Sequence, residues 1–252
     1  MTRHGENGFS PRHGSSRAQA MTARDRLIVA LDVPDASAAR ALGDRLAGEV
    51  GMFKVGSQLF TAAGPDIVRA LVGGGHRVFL DLKFHDIPNT VAGAVASAAA
   101  LGVSLLTIHS AGGTAMIEAA ARAARGSPAR ILAITVLTSL DGDALDAIGM
   151  EGGIDATVTR LAKLAEAAGA DGVVASPHEA SALRAGAKAG FLVVTPGIRP
   201  AGATLGDQSR AATPGTALSA GADYLVIGRP ITGAADPAAA ARAIVLEMES
   251  AG

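Results

Sequence analysis

LIVALDVPD, residues 27–35, begins as an unbroken apolar run and ends in Asp32-Val33-Pro34-Asp35. Continuous apolar runs belong to parallel strands covered by helices, whereas half-exposed strands alternate. An open, doubly wound sheet would carry a glycine-rich turn after its first strand. Here the run closes on an aspartate and a proline, which leaves the open sheet as the weaker alternative. Similar runs follow at 52–56 (MFKVG), 77–82 (RVFLDL), 104–109 (SLLTIH), 130–136 (RILAITV), 172–175 (GVVA), 191–195 (FLVVT) and 223–227 (DYLVI). Ala-, Leu- and Arg-rich segments near 36–47, 60–73, 89–101, 114–125, 155–168, 178–187, 213–220 and 236–250 read as helices between them. Eight strand–helix units in one chain of 252 residues predict a single-domain (β/α)₈ TIM barrel over 25–252.

Composition narrows the function classes. Lys+Arg number 22 against 23 Asp+Glu, a net charge of -1, which argues against a nucleic-acid footprint. Aromatic residues make up 3%, too few for base-stacking platforms. Cysteine is absent, so there is no disulfide, thiolate metal site or cysteine nucleophile. That suits a reducing, cytoplasmic setting. Residues 1–24 hold scattered Arg and His among Gly, Ser and Asn, and read as a disordered tail with Met21 as a second candidate start. The uncharged stretch 90–108 is long enough to span a bilayer, but Gly102 divides it into an Ala-rich helix and the strand LLTI. No membrane partner is expected.

Active sites of this fold sit at the C-terminal ends of the strands. Polar residues collect there: Asp32, Lys54, Asp81, Lys83, His109, Thr138, Ser139, Ser176, Arg199, Gly228 and Arg229. The densest segment is DLKFHDIPNT, 81–90. Asp81 and Lys83 are two apart, so an extended chain points both to one face, and Lys54 on the neighbouring strand can join them. Asp86 is an odd step from Lys83 and sits where the chain leaves the barrel, facing outward or toward a neighbouring subunit. Schiff-base chemistry needs a neutral lysine. Flanking carboxylates instead keep Lys83 protonated. A protonated lysine delivers a proton to a carbanion, and a fixed carboxylate repels an anionic leaving group. The cluster therefore points to decarboxylation without a cofactor more than to aldol chemistry.

A second cluster lies downstream. PGIRPAGATLGDQSR, 196–210, is glycine-rich and long enough to act as a lid, and Gly228-Arg229 follow the last strand. Loops after strands 7 and 8 hold phosphate in this fold, and the arginine fork suits a phosphate. No P-loop or HExxH motif is present, and the six histidines do not cluster at metal spacing. His85 and His109 read as structural.

DLKFHDIPNT resembles the signature of the orotidine 5′-monophosphate decarboxylase family. LIVALD (27–32), FKVGSQLF (53–60), ITVLTS (134–139), TPGIRP with GDQ (195–208) and VIGRPIT (226–232) extend the resemblance over about 25–248. It implies decarboxylation of orotidine 5′-monophosphate to UMP and CO₂, the last step of UMP synthesis, with no metal or organic cofactor. It implies that Lys83 protonates ring carbon 6, that Asp81 stresses the substrate carboxylate and holds Lys83, and that Lys54 completes the array and contacts the ribose. Asp32 would bind a ribose hydroxyl, and Thr138 with Ser139 would meet the pyrimidine. Arg199, Gln208, Gly228 and Arg229 would hold the phosphate. Asp86 and Thr90 would enter the neighbouring subunit's site across a homodimer interface. Two rivals remain. One is a related Mg²⁺-dependent barrel acting on a sugar-acid phosphate by decarboxylation or aldol chemistry. The other is a non-catalytic nucleotide-binding barrel.

Overall fold

A computed structural model describes residues 21–200 and 212–251. Its eight strands are β1 (Leu27–Ala30), β2 (Met52–Gly56), β3 (Val78–Phe84), β4 (Leu105–His109), β5 (Arg130–Ile134), β6 (Gly172–Val174), β7 (Leu192–Thr195) and β8 (Tyr224–Ile227). They pair in parallel in chain order, and β8 closes on β1 with Leu27 opposite Leu225. The eight expected strands are all present, with ends shifted by a few residues.

The apolar runs feed two cores with opposite parity, because successive strand side chains point to opposite faces. Leu27, Val29, Phe53, Val55, Val78 and Leu80 pack outward under the helices. Ile28, Ala30, Met52, Phe79, Leu105, Leu132, Val194, Tyr224 and Val226 fill the barrel. Continuing each inward series by two residues reaches Asp32, Lys54, Asp81, Thr107 and Gly228, so the same parity that packs the core also builds the mouth.

Local chemistry sets the connections. Asp35 accepts from the Ala38 amide at 2.9 Å and starts helix Ala36–Arg45. Asp236 does the same for Pro237–Glu249. The helix expected near 60–73 is two, Ser57–Ala63 and Asp66–Gly73, because Gly64 takes φ 64° and Pro65 has no amide hydrogen to continue the first. A helix that the apolar pattern does not announce, Gly142–Ala147, follows an Asp141 cap after β5. Gly102, at φ 81°, turns helix Pro88–Ala99 toward β4. No helix among the described residues is long and apolar enough to cross a membrane.

Helix Ala23–Arg26 leads directly into β1, and a Thr22–Asp25 capping box fixes its start. Arg26 donates to the carbonyls of Ala222 and Asp223, and Arg24 to that of Gly48. This helix overlaps the last two residues of the segment expected as a tail; residues 1–20 lie outside the described residues.

Candidate active site

β3 carries the central irregularity of the sheet. It advances four residues, from Leu80 to Phe84, while β4 advances two, from Leu106 to Ile108. Inside this bulge Lys83 takes φ 54°, the only described non-glycine residue with a left-handed backbone. Such a conformation costs a lysine about 1–3 kcal/mol and persists where surrounding contacts hold it. The expectation that Asp81 and Lys83 share a face is correct in outcome but not in cause. The strand is not extended at Lys83; bulge and left-handed turn together bring its side chain back over Asp81.

The result is a row of alternating charge across three strands. Lys54 Nζ lies 3.2 Å from Asp32 Oδ1 and 3.6 Å from Asp81 Oδ2, and Lys83 Nζ lies 2.9 Å from Asp81 Oδ1. Asp81 is 8% exposed. Burial alone would raise its pKa, but the charges of Lys54 and Lys83, with hydrogen bonds from Lys83 and Thr107, outweigh it and lower the pKa. Asp81 is therefore ionised at neutral pH in a partly dry site.

A cavity of about 400 Å³ opens over this row. Asp32, Lys54, Asp81 and Lys83 line one side, and Thr138, Gly197, Arg199, Gly228 and Arg229 line the rest. Its floor is Ala30, Phe79, Val174 and Val226, the uppermost apolar residues of the interior. Burial and then the like charge of Arg229 lower the pKa of Arg199, so the two guanidinium groups are electrostatic neighbours. The ends of the 196–210 loop are pinned where the Arg199 amide donates to the Ala212 carbonyl at 2.9 Å. Residues 201–211, with Gln208 among them, lie outside the described residues.

Not every candidate reaches the cavity. Ser139 is exposed beside Thr138 and is not among the lining residues. Asp86 and Thr90 are exposed and outside it, and Asp86 accepts from the Ile87 amide at 2.6 Å. Ser176 is buried and engaged in a capping box with Glu179. His85 and His109 stack with ring centroids 5.2 Å apart. Burial, then His85 and Lys83, lower the pKa of His109.

One residue escaped the sequence reading. Thr107 is fully buried on β4, accepts from the Lys83 amide at 2.9 Å and donates to Asp81 Oδ1 at 3.0 Å. Its signal was its parity: it is the polar residue between inward-facing Leu105 and His109.

A closed parallel barrel with a charged, arginine-rimmed cavity at the C-terminal ends of its strands defines a class: barrel proteins built for small anionic substrates. Within that class, the chain belongs to the orotidine 5′-phosphate decarboxylase / HUMPS family, whose pattern matches residues 25–244. It is 56% identical over 237 residues to the orotidine 5′-phosphate decarboxylase of Moorella thermoacetica, covering 91% of this chain and 94% of that one. It is 57% identical over 224 residues to that of Anaeromyxobacter sp. strain K, covering 89% and 98%. Among solved structures, orotidine 5′-phosphate decarboxylase from Lactobacillus acidophilus matches with a TM-score of 0.79 at 39% identity, covering 88% of this chain and 98% of that chain. The enzyme from Pyrococcus horikoshii gives 0.73 at 27% identity, covering 88% and 99%.

Proposed function

We infer that this chain decarboxylates orotidine 5′-monophosphate to UMP and CO₂, completing UMP synthesis. The carrying observation is the alternating Asp32–Lys54–Asp81–Lys83 row, with its buried carboxylate held ionised. In this reading the substrate carboxylate sits against Asp81, whose negative charge destabilises it. The bond from ring carbon 6 to the carboxyl carbon breaks, its electron pair stays on carbon 6, and CO₂ departs into the cavity. Lys83 Nζ then gives its proton to carbon 6. Lys54 and Asp32 hold the ribose, Thr138 borders the pyrimidine, and Arg199, Gln208, Gly228 and Arg229 take the phosphate.

The active form in this reading is a cytoplasmic homodimer with shared sites. Residues 85–90 begin two positions after Lys83 yet are exposed in the single chain, and Ile87 is 66% exposed. The helix that follows, Pro88–Ala99, has no charged residue, and Gly93, Ala96 and Ser97 lie on its exposed side. A partner covering this face would receive Asp86 and Thr90 beside its own Lys83.

The Mg²⁺-dependent rival is disfavoured by Lys54. Its ammonium lies between Asp32 and Asp81, where a divalent cation bridging those carboxylates would have to sit. The deciding experiment follows loss of orotidine 5′-monophosphate absorbance by EDTA-treated protein, with a sugar-acid phosphate plus Mg²⁺ as the second arm. Turnover of the nucleotide in EDTA supports the assignment. Turnover of the sugar-acid phosphate alone, or nucleotide binding without CO₂ release, overturns it.

A further inference from the structure

The bulge in β3 raises a question of hydrogen bonding. A buried amide that leaves the strand ladder must find another acceptor. For Lys83 that acceptor is the hydroxyl of Thr107, the β4 residue lying between the two registered pairs that flank the bulge. An amide cannot accept, so the direction of this bond is fixed: nitrogen donates and Thr107 Oγ1 receives. The hydroxyl has one hydrogen, and Asp81 Oδ1 lies 3.0 Å away to take it. Asp81 Oδ1 also accepts from Lys83 Nζ at 2.9 Å. The ring is closed: Lys83 amide, Thr107 hydroxyl, Asp81 carboxylate, Lys83 ammonium.

We propose that Thr107 is a positioning residue for the decarboxylation, one hydroxyl that fixes both the carboxylate of Asp81 and the backbone from which Lys83 reaches the reacting carbon. Thr107 does not line the cavity. It acts through the two residues that do. Without it, the Lys83 amide has lost its acceptor inside the bulge, and the left-handed turn has lost a contact that holds it. The same loss frees Asp81 Oδ1 to rotate away from Lys83. Proton delivery depends on sub-ångström placement, so the penalty belongs to the chemical step and not to substrate affinity. The inference rests on the decarboxylase reading, and wild-type turnover tests that reading separately.

The experiment separates the hydroxyl of Thr107 from its methyl group. Thr107→Val keeps shape and removes the hydroxyl; Thr107→Ser keeps the hydroxyl and removes the methyl; Thr107→Ala removes both. Steady-state kinetics on orotidine 5′-monophosphate should give a kcat lowered about 10- to 100-fold in Thr107→Val and Thr107→Ala, the scale of one lost hydrogen bond to a charged group plus an orphaned amide. KM should stay within about threefold of wild type, since uniform binding is untouched. Thr107→Ser should keep kcat within about threefold, because it restores both bonds. The hydroxyl also stabilises ionised Asp81, so the acid limb of the kcat profile should move to higher pH in Thr107→Val and Thr107→Ala but not in Thr107→Ser. A kcat in Thr107→Val close to wild type overturns the proposal. So does an equal loss in Thr107→Ser and Thr107→Ala, which would make the methyl packing responsible. If Thr107→Val does not fold, the Ser–Ala pair carries the test. If neither variant lacking the hydroxyl folds while Thr107→Ser does, the hydroxyl serves folding and the proposal fails.

Discussion

The two sides of the cavity solve opposite electrostatic problems. On the β1–β4 side, charges of opposite sign lie 2.9 to 3.6 Å apart in a continuous row, and each lysine faces a carboxylate. On the β7–β8 side, Arg199 feels Arg229 as a like charge that lowers its pKa. The first side is assembled by its own attractions before any ligand arrives. The second gathers two cations on the rim of the cavity, and in the decarboxylase reading this is the side that takes the substrate's phosphate. Chemistry suits the side whose opposite charges hold one another in place, and anion capture suits the side that carries the arginine forks.

The comparison breaks most sharply at Lys83. Lys83→Ala should lower kcat on the order of 10⁴-fold while the barrel stays folded, because the proton donor is lost from the transition state. Rapid-quench or absorbance assays with circular dichroism on the same sample test this, and near-normal kcat in a folded variant removes the mechanism. Arg229→Ala probes the other side. We expect kcat/KM to fall about 10²- to 10³-fold although no reacting atom is touched, as remote phosphate binding is used to favour the transition state. A substrate lacking phosphate should lose kcat too, and added phosphite should restore part of it in wild type but little in Arg229→Ala. A change in KM alone would make the phosphate a simple handle.

A smaller signal tests whether the catalytic side is completed by a second chain. Equal mixing of inactive Asp86→Ala with inactive Lys83→Ala should recover about a quarter of wild-type activity, since half the dimers are mixed and each has one intact site. No recovery after confirmed subunit exchange argues that Asp86 serves its own chain. The smallest effect is in stability. The pKa of Asp81 is lowered in the folded state. Its contribution is therefore present above the ordinary carboxyl pKa of about 4 and is lost as pH falls through the folded value. Urea melts between neutral and acid pH should show a shallower acid decline in Asp81→Asn than in wild type; identical slopes would mean that the row stores no such energy.

Much of this was legible in one dimension. Asp32, Lys54 and Asp81 were readable as inward-facing because parity along a strand is a local property, and Met52 and Phe79 set it two residues earlier. Thr107 obeys the same rule but hid inside SLLTIH, where a threonine is an ordinary strand former. The break at Gly64-Pro65 was visible as residues, yet apolar spacing on both sides suggested one helix. Asp86, an odd step from Lys83, and Thr90, named by the family resemblance alone, are exposed and outside this chain's cavity.

The sequence by itself determined the eight parallel strands, their order and the charge types at their ends, since these follow from apolar runs, side-chain alternation and residue identity. Only the tertiary structure decided how those charges meet. The β3 bulge, the left-handed backbone of Lys83 and the Thr107 bridge depend on register between β3 and β4, whose bonded residues are 24 and 26 positions apart. Register between strands is set by packing of the closed barrel, and a bulge shifts it without any local change in hydrophobic pattern.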